Sequence, residues 1–124
     1  MDVEELRDFC LSIKSATEDM PFEDDLLIFK VYGKWFAVLP LDELELKISV
    51  KCDPVKAIEL REQYYCVEAA WHFNKKYWNT IVLNRDMKDQ AVKEWIRHSV
   101  EEVVKKLPKK IQAEYYGLSV NIER

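Results

Sequence analysis

Between Val92 and Leu107 the apolar residues Val92, Trp95, Ile96, Val100, Val103, Val104 and Leu107, with Ser99 among them, recur at the three- and four-residue intervals of a single helical face. Pro108 follows and stops the pattern. A helix with so unbroken a stripe must lay it on a broad apolar surface, and the rest of the chain supplies the strands for one. Leu26–Val31 and Trp35–Leu39 are two apolar runs joined by Tyr32-Gly33-Lys34, which predicts a hairpin. After Pro40, Asp42 and Glu43, the residues Leu44, Leu46, Ile48 and Val50 alternate with Glu45, Lys47, Ser49 and Lys51, the period-two pattern of a half-solvated strand. Three strands in a meander need helices on one face only.

The remaining elements follow from local signals. Val3, Leu6, Phe9, Cys10 and Ile13 lie at helical spacing, with acids at the start where the helix dipole favours them. Residues 15–25 lack periodicity and contain Pro21, which predicts an irregular connection anchored by Met20 and Phe22. Asp53-Pro54 opens a second helix running to about Gln63, with Val55 and Ile58 inward. Tyr77 to Leu83 alternates as a further strand and ends in Asn84-Arg85-Asp86. The predicted order is α-β-β-β-α-β-α: an α+β fold with one antiparallel sheet covered on one face by helices. A chain of 124 residues fits one domain. That domain is expected over residues 1–110, with 111–124 as a C-terminal extension whose Leu118–Ile122 forms an edge strand or a loose tail.

Charge adds a second constraint. The net charge is −4, yet residues 1–25 hold nine acids against Arg7 and Lys14, a local −7, so the remainder carries −4 − (−7) = +3. Such segregation allows a basic face to stand opposite an acidic one despite the acidic average. Three cysteines, Cys10, Cys52 and Cys66, are an odd number without a CxxC, which argues against a disulfide framework or a zinc knuckle and for a reducing cytoplasm. No apolar run approaches membrane length, and the acidic start does not resemble a signal peptide. The expectation is a cytoplasmic protein without membrane contact.

The densest concentration of chemistry is Trp71-His72-Phe73-Asn74-Lys75-Lys76-Tyr77-Trp78-Asn79-Thr80. Rings here serve as core or boundary residues, while Asn74, Asn79 and Thr80 bind local backbone and shape a turn. The same residues face a ligand if His72, Asn74 and Lys76 converge on one cleft. Enzymatic signals are weak. His72 and His98 are the only histidines, Gly33 and Gly117 the only glycines, and no GxSxG, HExxH or phosphate-binding glycine loop occurs. A Cys52–His72 or Cys66–His72 nucleophile pair is the sole catalytic combination on offer. No catalytic residue, metal site or cofactor is therefore expected.

Taken in order, Leu6-Arg7-Asp8-Phe9-Cys10-Leu11-Ser12, Pro21-Phe22, Phe29-Lys30-Val31-Tyr32-Gly33-Lys34, Val50-Lys51-Cys52-Asp53-Pro54, Leu60-Arg61-Glu62-Gln63-Tyr64, His72 to Thr80, His98-Ser99 and Leu107-Pro108 resemble the bacterial MmcQ/YjbR family. The resemblance covers about residues 5–110. It departs at Glu23, where glycine is common, and at Tyr77, where histidine is usual. It implies a CyaY-like (frataxin-like) fold and a double-wing DNA-binding role, in which two hairpin tips flank a helix. Lys34 would be one tip and Lys75-Lys76 the other, with Lys51 and Arg61 between them contacting double-stranded DNA. The residues Trp71, His72, Asn74, Trp78, Asn79 and Thr80 form the family-like motif. The alternative is a protein- or ligand-interaction module without enzymatic activity. A further alternative, implied by the frataxin-like grouping, is cation binding by Asp2, Glu5, Asp8 and Glu23-Asp24-Asp25. The expected state is a monomer, with no particular protein partner indicated.

Overall fold

The computed structural model describes residues 1–21, 25–70 and 72–117. The elements run α1 (Val3–Ser12), β1 (Ala16–Asp19), β2 (Leu26–Val31), β3 (Lys34–Pro40), β4 (Lys47–Lys51), α2 (Pro54–Gln63), β5 (Val67–Ala69), β6 (Trp78–Val82), α3 (Asp89–Val104) and α4 (Lys109–Tyr115). All strand pairs are antiparallel, in the order β1-β2-β3-β4-β6-β5. The α+β class and the helix-covered sheet are as predicted. Two strands and a short helix are additional.

Each difference has a local cause. Residues 16–19 form an edge strand rather than an irregular connection, because Ser15, at φ 66°, turns the chain back out of α1. Along β1, Glu18 meets Arg7 of α1 and Asp19 pairs with Lys30 at 3.1 Å, so the strand is held by charges and carries little apolar signal. β5 is three residues long, below the length at which alternation is visible. It is seated by the Asp86 carboxylate, which accepts from the amides of Tyr65 at 2.7 Å and Cys66 at 2.9 Å. The strand predicted over 44–50 starts only at Lys47; Leu44 is fully exposed, and Ser49 is buried instead of solvated. α4 crosses the expected boundary at residue 110, with Ile111 and Tyr115 packed on the core. The anchor Phe22 and the predicted strand 118–122 lie outside the described residues.

α1 and α3 cover one face of the sheet. Leu6 and Cys10 of α1, and Val92, Ile96, Ser99, Val100, Val103 and Val104 of α3, meet Phe29, Phe36, Leu39, Ile48 and Ile81. Complete burial of each large aliphatic or aromatic side chain contributes about 1.5–3 kcal/mol. Asp2 and Glu5 close a capping box over the start of α1. α2 begins as predicted, with Asp53 accepting from Val55 and Lys56 and with Pro54 in the first turn. Its inward face is Ala57 and Leu60, not Val55 and Ile58, which are 64% and 53% exposed. The small Ala57 lets the helix approach β6 closely enough for the Asn79 side-chain amide to donate to its carbonyl at 3.1 Å, and that bond sets the rotation.

Ser99 is the polar member of the α3 stripe and is completely buried. Its hydroxyl donates to the Phe36 carbonyl at 2.6 Å and accepts from the Lys51 amide at 2.8 Å, tying α3 to β3 and β4 where the ladder between them is short. Ser99→Ala leaves a buried donor and a buried acceptor unpaired. Unfolding in denaturant should show a loss of about 1–3 kcal/mol with an unchanged m value.

Candidate functional site

Strand polarity sorts the charges. Antiparallel pairing puts the β2–β3 turn, the end of β4, the start of α2, the start of β6 and the end of α3 at one end of the sheet. Lys34, Lys51, Lys75, Lys76, Lys105 and Lys106 belong to these segments. At the other end lie the connections 41–46 and 83–88 and the starts of α1 and α3, joined by the N-terminal amine, which bonds Asn84 at 2.7 Å and Asp89 at 3.2 Å. That end holds Asp2, Glu4, Glu5, Asp42, Glu43, Glu45, Asp86 and Asp89. Its cations are largely committed: Arg85 to Glu45 at 2.6 Å and Lys47 to Glu43 at 3.4 Å.

Lys34, Lys51 and Lys106, from a hairpin, a strand end and the turn after α3, line one recess of about 230 Å³ together with Trp35 and Leu107. Among the described residues none of these three ammonium groups takes part in an ion pair. Lys105, next in the chain, is committed to Glu102 at 2.8 Å. Lys75 and Lys76 are exposed on the loop between β5 and β6, and the Lys76 ammonium lies 5.6 Å from the Tyr77 ring.

The motif residues divide by task. Asn79 is 1% exposed, and its side-chain oxygen accepts from Arg61 at 2.7 Å while its amide holds α2. Arg61 also donates to the Lys75 carbonyl at 3.2 Å, so this guanidinium fastens the loop to the helix and does not project from the basic end. Asn74 accepts from the Lys76 amide at 3.0 Å, the local turn that the sequence predicts. Asn79, predicted to serve local backbone, instead reaches the Ala57 carbonyl on α2, and the Thr80 hydroxyl meets that of Ser49 at 2.7 Å across the strands. Phe73 stacks on Trp78 at 5.1 Å and meets the edge of Trp35 at 6.4 Å. These rings roof part of the helix-free face. Of His72, Asn74 and Lys76, only His72 lines the cleft on that face, so the three do not converge. Trp71 lies outside the described residues.

His98 joins this end from α3. Its Nε2 accepts from the Asp53 amide at 3.1 Å, which requires a neutral ring with the proton on Nδ1. Burial holds its pKa below the usual value, against the opposing pull of Glu102, Glu101 and Asp53; Lys56 acts with the burial. Sequence reasoning did not give this residue a role; its position three residues after Trp95, on the edge of the buried stripe, is the signal that was available.

The thiols are poor nucleophiles. Burial pushes Cys10 and Cys52 up to about 12, and burial with the Asp86 carboxylate pushes Cys66 up to about 11. Cys52 and Cys66 sit within the helix-side core, whereas His72 is exposed and borders the opposite face, so neither predicted pair forms. Of the acids considered for a cation, Asp2 and Glu5 are engaged in the capping box, and Glu23 and Asp24 lie outside the described residues. Among the described residues no group of three or more His, Cys, Asp or Glu is arranged to hold a metal. No helix among them is long and apolar enough to cross a membrane.

A small α+β domain, with one six-stranded antiparallel sheet, helices on one face and lysines gathered at one end, is what this geometry defines. The YjbR family model matches residues 11–101, and the chain belongs to that family. It is 27% identical over 108 residues to the uncharacterized protein YjbR of Escherichia coli K12, covering 87% of this chain and 92% of that protein. Uncharacterized YbdF of E. coli O157:H7 is 28% identical over 96 residues, 74% of this chain and 75% of the relative. Among solved structures, Deinococcus radiodurans DR2400, a DUF419-domain protein, superposes with a TM-score of 0.83 at 31% identity, covering 94% of this chain and 88% of that one. A Pseudomonas syringae protein shares the fold with a TM-score of 0.70 at 24% identity, covering 80% and 96%.

Two measurements check the site chemistry. In native protein at mildly alkaline pH a soluble disulfide reagent should leave all of the free cysteines unmodified, and all should react once denaturant is added. Below pH 6.5 the unfolded chain takes up the His98 proton more readily than the fold does. Stability should therefore rise as pH increases toward the unfolded imidazole pKa near 6.5 and level off above it. His98→Gln keeps an acceptor for the Asp53 amide and should flatten that rise in a series of thermal melts.

Proposed function

We propose that this protein is a non-enzymatic nucleic-acid-contacting domain that meets the phosphate backbone of duplex DNA with the lysine-bearing end of its sheet. The observation that carries the reading is the recess lined by Lys34, Lys51 and Lys106, which come from three different elements. Like charges brought together without carboxylate partners raise the local potential, and that potential falls when they replace counterions along a phosphate chain. Lys75 and Lys76 extend the surface on the neighbouring loop, and the half-buried Trp35 offers an apolar contact beside it. Two hairpin-like tips at the lysine-bearing end, one of them fastened to α2 through Arg61, are consistent with the double-wing arrangement. α2 itself is unsuited to reading a groove, because its exposed residues include Val55, Ile58, Glu59 and Glu62, and its arginine is committed to Asn79. Contact through the end of the sheet therefore fits better than insertion of that helix, and it favours shape and charge over base sequence. The poorly ionising thiols support a binding role over thiol catalysis, and free buried thiols suit a reducing compartment.

Titration of a mixed-sequence duplex across a salt series tests this. Binding should weaken linearly on a log–log plot, with a slope of about −0.9 for each phosphate neutralised, about −2.7 to −3.6 for three or four contacts. Lys34→Glu combined with Lys106→Glu should abolish most of the binding and flatten the slope while the melting temperature holds. Undetectable binding at low salt, or binding indifferent to these substitutions, rejects the proposal.

A further inference from the structure

The helix-free face carries a second recess, nearer the acidic end. Strand register places Asp19, Ile28, Val38, Ser49, Thr80 and Glu68 in one row across the sheet, passing from the Lys30-paired carboxylate of Asp19 through apolar side chains and two hydroxyls to a second carboxylate. A cavity of about 240 Å³ opens over this row, with Val38, Ser49 and Thr80 as its floor and Leu26 and Phe73 among its walls. Phe73 is fixed from behind by its stack on Trp78 and its edge contact with Trp35, so the aromatic wall exists before anything binds.

The polar groups select the occupant. The Ser49 and Thr80 hydroxyls lie 2.7 Å apart, which uses one of their two protons; the other proton and the remaining lone pairs have no protein partner among the described residues. At the rim Glu43 is neutralised by Lys47 at 3.4 Å, while Glu68 forms no ion pair among the described residues. His72 closes one side of the rim. Arg85 feels the field of Glu68 but is itself bridged to Glu45 at 2.6 Å, so the rim keeps a negative bias that disfavours phosphates and carboxylates and favours a cation. The volume lies below the roughly 300 Å³ at which drug-sized ligands begin, so the occupant is small.

We infer that this recess binds a small organic amine: an ammonium group facing Glu68 and the Ser49–Thr80 hydroxyls, on a flat apolar body packed over Val38 between Phe73 and Leu26. The site is separate from the lysine recess and has the opposite charge preference.

Amide-resolved NMR titration with tyramine tests it, with tyrosol, which has a hydroxyl in place of the amine, and para-hydroxyphenylacetate, which has a carboxylate, as comparisons. Tyramine should shift the amides of Val38, Ser49, Glu68 and Thr80 in a saturable way, with tyrosol at least about tenfold weaker and the carboxylate inert. Glu68 is exposed, so Glu68→Gln should fold normally and weaken tyramine about tenfold, whereas Lys34→Glu should leave it unchanged. Absence of shifts at these amides, equal binding of tyrosol or para-hydroxyphenylacetate, or undiminished binding by Glu68→Gln would overturn the assignment.

Discussion

A sheet has two faces, and the long helices of this chain cover one. The stripe of α3 fits the apolar side of β2, β3 and β4, and α1 completes that layer. Ile28 and Val38 on the other side are as completely buried as any residue in the helix-side core, so something besides a helix must cover them. Part of the cover is the aromatic loop between β5 and β6, with Phe73 against Trp78 and Trp35. The loop is in turn held by Arg61, which reaches from α2 to the Lys75 carbonyl and to Asn79. The otherwise expensive cluster of rings and amides is explained by this need for a second layer made of loop.

Antiparallel pairing has an electrostatic consequence. Each strand carries its flanking charges to one end or the other, and here the lysine-bearing junctions fall together while the acidic connections fall opposite. The chain as a whole is negative, yet three lysines line one recess, none of them in an ion pair among the described residues. Net charge describes solubility; its distribution over the fold decides which surface attracts a polyanion. The helix-free face completes the division: Glu43 and Glu68 line its recess near the acidic connections, whereas Lys34, Lys51 and Lys106 line the recess at the other end.

The polar motif residues illustrate how one residue type takes different tasks. Asn74 makes a two-residue turn, which its neighbours in sequence already imply. Asn79 is five positions further on and does something no local pattern encodes: it links β6 to the Ala57 carbonyl and to Arg61, neither of which is close in the chain. Ser49 reads as the solvated half of an alternating strand until Thr80 and the aromatic loop close over it. Val55 and Ile58 read as core until the Asn79 contact turns α2 the other way.

The residues in order were enough to determine the α3 stripe, the β2–β3 hairpin, the Asp53-Pro54 helix start and the family resemblance, because each depends on spacings within a few positions. The edge strands β1 and β5 escaped, one being held by ion pairs and the other too short to show a period. Only the tertiary structure decided that Lys34, Lys51 and Lys106 share a recess, that Arg61 is consumed by Asn79, and that Glu68 and two hydroxyls line one row. Those pairings span tens of residues in the chain, and strand register and helix packing, rather than local propensity, bring them together.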